Sequence, residues 1–355
     1  MHARKWLSNS AKVLVSVPEQ DRAKLVDIDK GFLPSTKTLG MIWDAKHDVF
    51  TFGVSVPSID QPVTKRSLLS QVATIFDPMG FLAPFIIRAK LLLQDLWLSK
   101  LDWDEPLEDS IVQRVTSWYR ELLLLSHFKV PRCIRLASKI IDLSLHFFCD
   151  ASSSAYASVG YLKATYANSE VSVRLIASKS RVAPLQTVSI PRLELLGAMR
   201  SVRLADKVMA SLEVKSEHVF YWSDSMTVLW WLSRHSRGLQ TFVANQVAKI
   251  QRRTALLNWN YVPSKLNPAD LATRGILALD LKEDKLWWEG PAFLTKGSEA
   301  WPRNAVKETR EGIKEVTKTK KLLQLDVCHL TQTPSNELVN WRLNPDRFSS
   351  WNRLK

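Results

Sequence analysis

Four acidic residues, Asp150, Glu194, Asp224 and Asp270, are the groups in this chain whose type and spacing could do chemistry together. Carboxylates brought to one point repel one another and raise each other's pKa unless a cation neutralises them. Mg²⁺ prefers such oxygen ligands, keeps part of its water and accepts phosphate oxygens. Mn²⁺ suits the same donors. Two such ions about 4 Å apart can activate a water on one side of a phosphodiester and stabilise the leaving oxygen on the other. Each acid also has a plainer explanation. An acid in a first helical turn is favoured by the helix dipole, and Asp at a strand end is a common turn or cap residue. The conjunction of the four is far more specific than any one of them.

Convergence depends on the elements that carry the acids. Residues 143–149 read as a strand ending at Asp150, and 155–162 and 171–178 as two more, joined by short polar segments as in an antiparallel meander. A long helix opens at Pro191, a good first-turn residue, and carries Glu194 in its first turn. Residues 218–223 form a strand ending at Asp224, followed by helices over 226–232 and 241–253. A short strand covers 257–262, and Pro268 opens a last helical turn that holds Asp270. The order βββαβααβα predicts an α/β (α+β) fold with a mixed five-stranded sheet and helices packed on it. If its first and fourth strands are central neighbours, Asp150 and Asp224 emerge side by side, and the helix starts bring Glu194 and Asp270 to the same edge.

Upstream, 38–43 and 49–54 read as a hairpin across a polar turn. Helical spacing follows over 65–76, stopped by Asp77-Pro78-Met79-Gly80, then over 84–99 and 108–126. Beyond Gly275 come Leu286-Trp287-Trp288 and an apolar run at 291–294. From Arg303 to Lys321 the pattern fades into seven Lys/Arg with few apolar residues, which reads as a solvated linker or frayed helix.

Composition narrows the partners. The 355 residues carry 49 Lys+Arg against 35 Asp+Glu, a formal charge of +14, so polyanions are the first partners to consider. Residues 143–275 hold 16 Lys/Arg and eight Asp/Glu, so more than half of that charge surrounds the four acids. Three cysteines, Cys133, Cys149 and Cys328, are too few for a disulfide framework and fit a reducing compartment. Neither a phosphate-binding Gly-rich loop nor a hydrolase G-x-S-x-G elbow is present, and no apolar run reaches the length of a membrane span. The N-terminus lacks an apolar leader, so an intracellular location is expected, in the cytoplasm, virus-like particles or nucleus, with no membrane partner. The 14 Trp are read mainly as core: Trp222, Trp230, Trp231 and Trp259 all fall inside predicted elements.

Phe148-Cys149-Asp150-Ala151-Ser152, Ile190-Pro191-Arg192-Leu193-Glu194-Leu195, Tyr221-Trp222-Ser223-Asp224-Ser225 and Asn267-Pro268-Ala269-Asp270-Leu271-Ala272-Thr273-Arg274-Gly275 together resemble the RNase H domain of Pao/BEL-type LTR retrotransposon Pol polyproteins. Lys65-Arg66-Ser67-Leu68-Leu69-Ser70 and Ile75-Phe76-Asp77-Pro78-Met79-Gly80-Phe81-Leu82-Ala83-Pro84 are similar to the segment joining the polymerase palm to RNase H in that family. Leu39-Gly40-Met41-Ile42-Trp43 resembles the hairpin just after the polymerase site, and Arg347-Phe348-Ser349-Ser350-Trp351 the approach to the integrase. The resemblance implies that Asp150, Glu194, Asp224 and Asp270 are catalytic, Mg²⁺-binding carboxylates of a ribonuclease acting on RNA in RNA/DNA hybrids. It divides the chain into a palm remnant with its hairpin (1–64), a helical thumb- or connection-like region (65–135), an RNase H-like domain (143–275) and a linker towards the integrase (276–355).

No Asp-Asp pair occurs anywhere, so the Tyr-x-Asp-Asp hairpin of reverse transcriptases is missing. The chain is therefore expected to be a piece of the polyprotein, with the rest of Pol as a partner and no polymerase activity of its own. Many RNases H also carry a His in the loop before the last acid, whereas here that loop is Pro263-Ser264-Lys265-Leu266-Asn267 and the nearest His is His235. Phosphates and 2′-hydroxyls of a hybrid need cationic and hydroxyl neighbours, for which Ser152, Arg181, Arg192, Lys249, Arg252, Arg253, Lys265 and Arg274 are the candidates. The rival reading is a catalytically inactive nucleic-acid-binding or polymerase-supporting remnant of a mobile element. Oligomeric state is not readable.

Overall fold

The computed structural model describes residues 4–23, 35–38, 41–56, 62–134 and 138–317, all within one unit of the chain. A short helix α1 (Ala11–Val15) precedes a small antiparallel sheet of β1 (Ser35–Thr38), β2 (Met41–Asp44), β3 (Val49–Thr51) and β4 (Val130–Pro131). The polar turn between β2 and β3 is held by Asp48, whose carboxylate accepts from Trp43 Nε1 at 3.0 Å and from the Arg132 guanidinium beside β4. Of the expected hairpin strand over 38–43, Leu39 and Gly40 lie outside the described residues, as does the integrase-like string at 347–351.

Three helices follow where the apolar spacing predicts them. In α2 (Lys65–Thr74) the Thr64 hydroxyl accepts from Ser67 N–H while the Ser67 hydroxyl accepts from Thr64 N–H, a reciprocal cap that satisfies two donors left open at a helix start. The Asp77 carboxylate accepts from the backbone N–H groups of Gly80, Phe81 and Leu82 and so sets the entry to α3 (Ala83–Leu98). Gly80 has φ +80°, and a Cβ there would lie 2.1 Å from the Ser178 carbonyl oxygen, so only glycine allows this close approach. The expected helix over 108–126 is α4 (Asp109–Glu121), whose last turns tighten into a 3₁₀ segment, Leu122–His127.

The large sheet consists of β5 (Ile140–Ala151), β6 (Ala155–Tyr166), β7 (Val171–Val182), β8 (Val219–Ser223) and β9 (Trp259–Tyr261), in the order β7-β6-β5-β8-β9. The first three are antiparallel, and β8 joins β5, and β9 joins β8, in parallel. Between them run α5 (Ile190–Leu212), α6 (Met226–Leu232) and α7 (Thr241–Gln251), and after β9 comes α8 (Ala269–Arg274). This is the βββαβααβα order read from the sequence. The five strands and flanking helices make it the mixed α/β sheet expected there.

Strand β5 is central and buried on both faces, which is why it reads as a nearly continuous apolar run rather than an alternation. Its Leu145, Phe147 and Cys149 pack with Leu195, Met199, Val202, Trp230 and Trp231 of α5 and α6. Phe148 faces the opposite layer, where helices α3, α4 and α8 meet Trp222 and Tyr161. The same layer takes in α9 (Ala278–Glu283) and α10 (Lys285–Glu289), with Trp287 fully buried and its Nε1 donating to the Phe81 carbonyl at 2.9 Å. Trp222, Trp230, Trp231 and Trp259 are all buried, so the tryptophan excess here is core.

One segment differs from its sequence reading. Within the stretch expected as solvated linker, α11 (Arg310–Lys314) is held against the domain: Trp231 Nε1 donates to the Gly312 carbonyl at 3.2 Å and Val316 bridges Leu239. Few apolar residues mark it because backbone and ionic contacts, not an apolar stripe, fix it. Among the described residues no helix is long and apolar enough to cross a membrane.

His146 of β5 is fully buried, with Nδ1 accepting from Trp222 Nε1 at 3.2 Å and Nε2 3.1 Å from the Ser144 hydroxyl. Burial pulls its pKa down to about 3, so the folded state keeps it neutral where the unfolded chain takes a proton. Its contribution to stability is therefore full above about pH 6.5 and falls as pH drops towards 3, at up to about 1.4 kcal/mol per pH unit. In denaturant titrations at pH 7 and pH 4.5, His146→Gln is expected to lose less stability on acidification than the parent; an equal loss would refute this origin.

Candidate active site

Parallel pairing of β5 with β8 sets the geometry. The last register pair is Cys149 with Ser223, so the next residues, Asp150 and Asp224, leave neighbouring strands at the same edge, about 4.8 Å apart in strand spacing. Helix α5 crosses β5 there. A Cβ on Gly197 would lie 2.9 Å from the Asp150 carbonyl oxygen, so the missing side chain lets the helix descend onto the strand end. Glu194, one turn earlier, is brought to the same edge. Helix α8 approaches from the other face with Asp270 in its first turn.

Polar groups fix the acids individually. Asp150 is buried, and its Oδ2 accepts from Thr273 Oγ1 of α8 at 2.6 Å. Glu194 Oε2 accepts from Ser225 Oγ at 2.6 Å, the hydroxyl that also caps α6 by accepting from Val228 N–H. Asn267 Nδ2 donates both to Asp224 Oδ1 at 3.2 Å and to the Cys149 carbonyl at 3.0 Å, tying the loop before α8 to the ends of both central strands. Asp270 differs: its carboxylate pairs with Arg274 one turn along the same helix.

The electrostatics show that the acids sense one another. Burial pushes Asp150 up to about 6, the Thr273 hydroxyl opposes this, and the charges of Asp224 and Asp270 add to it. Burial raises Glu194 to about 7, with Ser225 opposing and Asp224 and Asp150 adding. Asp224 is also raised, first by burial and then by Asp270, against hydrogen bonds from Ser264 and Asn267. The donors are hard carboxylate oxygens under mutual repulsion, the chemistry that a Mg²⁺ or Mn²⁺ ion would relieve. Among the described residues, however, no three His, Cys, Asp or Glu side chains stand close enough to hold an ion as they are. Donor type fits the cation, and Asp270 is engaged by Arg274.

The other sequence candidates scatter. Arg274 and Ser152 lie at the site; the Ser152 hydroxyl accepts from Ala155 N–H at 3.1 Å and closes the turn between β5 and β6. Arg192 makes a two-pronged pair with Glu315 at 2.8 and 3.0 Å, which anchors the end of α11. Arg253 pairs with Asp206, and Arg252, just beyond the end of α7, donates to the Ala248 carbonyl within it. Lys249 and Lys265 are exposed on α7 and on the loop before α8, and Arg181 is exposed on β7. His235 caps a 3₁₀ turn far from the acids in topology. Sequence reasoning missed the holders Thr273, Ser225 and Asn267. All three stand inside the strings that carry Asp224 and Asp270, and Thr273 is one helical turn after Asp270, which is the signal that could have found it.

Residues 64–225 match the Pao retrotransposon-like RNaseH-like domain, a span holding Asp150, Glu194 and Asp224 but ending before Asp270. No curated protein matches the chain. Among solved structures it is similar to the N-terminal RNase H domain of rv2228c from Mycobacterium tuberculosis, determined as a fusion with maltose-binding protein. Identity there is 12%, the TM-score 0.25, and the match covers 37% of this chain and 91% of that one. It is also similar to RNase H1 from the halophilic archaeon Halobacterium salinarum NRC-1, at 10% identity and a TM-score of 0.22, over 36% of this chain and 89% of that one.

Because Glu194 titrates near 7 in the fold and nearer 4.5 when unfolded, its charge destabilises the metal-free protein fully above about pH 7 and not below about 4.5. In chelator, Glu194→Gln is expected to raise the thermal midpoint at pH 8 and leave it nearly unchanged at pH 4.5; equal shifts at both would refute the cost of burying this charge. Gly197→Ala, which must push α5 off β5, is expected to cost about 1–3 kcal/mol in denaturant titration. The mixed five-stranded sheet read from the sequence is present, and residues 64–225, which include its first four strands, are similar to the Pao retrotransposon-like RNaseH-like domain.

Proposed function

We propose that this chain is a divalent-cation-dependent ribonuclease that hydrolyses the RNA strand of RNA/DNA hybrids. The observation that carries the reading is the meeting of Asp150, Glu194 and Asp224 at one sheet edge, each raised by burial and by its neighbours' charge. When bound, Mg²⁺ would be held by these three with Asp270, and would supply compensation for phosphate charge and an acidified water. The chain's own polar groups orient that set: Thr273 holds Asp150, Ser225 holds Glu194, and Asn267 holds Asp224 against the end of β5. Arg274 holds Asp270; a cation bound by the acids would compete for that carboxylate, and the guanidinium would then be available to a neighbouring phosphate. Hybrid strands are recognised through phosphates and 2′-hydroxyls by the surrounding cations, with the rest of a Pol polyprotein as a further partner.

In this reading residues 1–64 correspond to the end of a polymerase palm, 65–135 to the connection and 276–355 to a linker towards an integrase. Polymerisation is not an activity of this chain. The Asp270–Arg274 pair favours a second reading, a catalytically inactive module that binds nucleic acid or supports a polymerase.

Cleavage of a labelled hybrid with Mg²⁺ or Mn²⁺ separates the two. Asp150→Asn and Glu194→Gln are each expected to lose about 10²- to 10⁴-fold in rate, the range for groups acting at the reacting atoms. Parent cleavage no faster than Asp150→Asn would sink the enzyme reading. If Arg274 competes with the cation, Arg274→Gln lowers the Mg²⁺ concentration giving half-maximal rate; an unchanged requirement removes that role.

A further inference from the structure

We propose that a band of cations wrapping the free edge of the sheet, Lys90 of α3, Lys179 and Arg181 of β7, and Arg200 and Arg203 of α5, seats the duplex phosphates that flank the cleaved position. This rests on the hybrid-nuclease reading and extends it to a surface outside the carboxylate site. Four of these five residues were not among the contacts expected from sequence.

Register places the band. Arg181 stands opposite Tyr156, and Tyr156 stands opposite Ala151, the residue after Asp150. Two strand spacings put Arg181 about 10 Å from the end of β5. Measured along a duplex axis, where each strand adds a charge every 3.4 Å or so, that distance corresponds to about three base-pair steps from the cleaved position. Arg200 follows on the helix that carries Glu194, its guanidinium 5.9 Å from the centre of the Tyr156 ring, and Arg203 stands three residues further along. On the other side of the edge, the Lys179 ammonium donates to the Pro78 carbonyl at 2.8 Å, close to α3 and Lys90.

These charges repel one another. Lys90 feels Lys179 and Arg181, and Arg200 feels Arg181 and Arg203, so Arg181 links the two halves of the band. Among the described residues, ion pairs engage Arg192, Arg253 and Arg274, but none engages any of the five. Asp77 is the acid that offsets Lys90, and its carboxylate is already taken by three backbone N–H groups. A line of like charges left without acids beside a phosphodiester-cleaving site is matched by a polyanionic backbone. Cations on an edge strand also block strand-to-strand aggregation. That function would account for Lys179 and Arg181 but not for Lys90, Arg200 and Arg203, which stand on helices.

The experiment uses the full chain and an RNA/DNA hybrid, with affinity read by fluorescence anisotropy between 50 and 200 mM KCl. Three variants each remove two charges: Lys90→Gln with Lys179→Gln, Arg200→Gln with Arg203→Gln, and, as control, Lys215→Gln with Arg237→Gln. Circular dichroism verifies the fold of each. Both band variants are expected to bind more weakly and to flatten the slope of log K against log salt by up to about 1.8, while the control keeps the parent slope. Parent-like slopes in the band variants overturn the surface alone, as does self-association on gel filtration with binding unchanged. A parent chain that binds no hybrid at any salt overturns the hybrid reading itself.

Discussion

Parallel pairing of β5 with β8 is the constraint on which the rest depends. It ends the paired stretches of the two strands, at Cys149 and Ser223, at one edge, and each stretch is followed immediately by an aspartate. Bringing two carboxylates together costs free energy, and the neighbouring elements are arranged around that cost. Hydroxyl and amide donors from α6, α8 and the loop before α8 bind the acids, and α8 supplies a cation in Arg274. The pairing is itself secured by aromatic packing: Phe148 and Trp222 stack 5.7 Å apart in register across the two strands, with Phe293 and Trp301 against them.

The two layers on the sheet have different tasks. The α5–α6–α7 layer supplies Glu194 and requires Gly197, because the helix must come close enough for its first turn to reach the strand ends. The opposite layer, built from α3, α4, α8, α9 and α10, holds α8 in place from behind. Arg88 of α3 shows the coupling: its guanidinium pairs with Glu121 at 2.7 Å, and Glu121 accepts from Ala278 N–H at 2.8 Å just beyond α8. Helices upstream of the sheet and turns downstream of it thus share one apolar layer with the strand that carries Asp150. Positioning of Asp270 and Thr273 therefore depends on residues far outside the βββαβααβα region.

Much of this was legible from residue order. The change from alternating to helical spacing marked the elements, Pro191 marked where one helix starts, and Asp77-Pro78-Met79-Gly80 marked where another stops. The end of the domain was not legible. Residues 309–317 carry too few apolar groups to announce packing, and they are held by the Arg192–Glu315 pair and by the Trp231 indole on a backbone carbonyl. Arg192 shows the same limit from the other side. Its charge suggested a phosphate contact, and only the fold reveals that an acid 123 residues later engages it.

The sequence by itself determined the order of elements and the mixed sheet, and it singled out the four acids as candidates, because periodicity and strand-end position are local properties of the chain. Only the tertiary structure decided what holds each acid, that Asp270 turns to Arg274, and which cations are neutralised and which stand free of acids at the edge of β7. Charge balance is set by partners that meet through space, and no local pattern records which of 49 cations will find one of 35 anions.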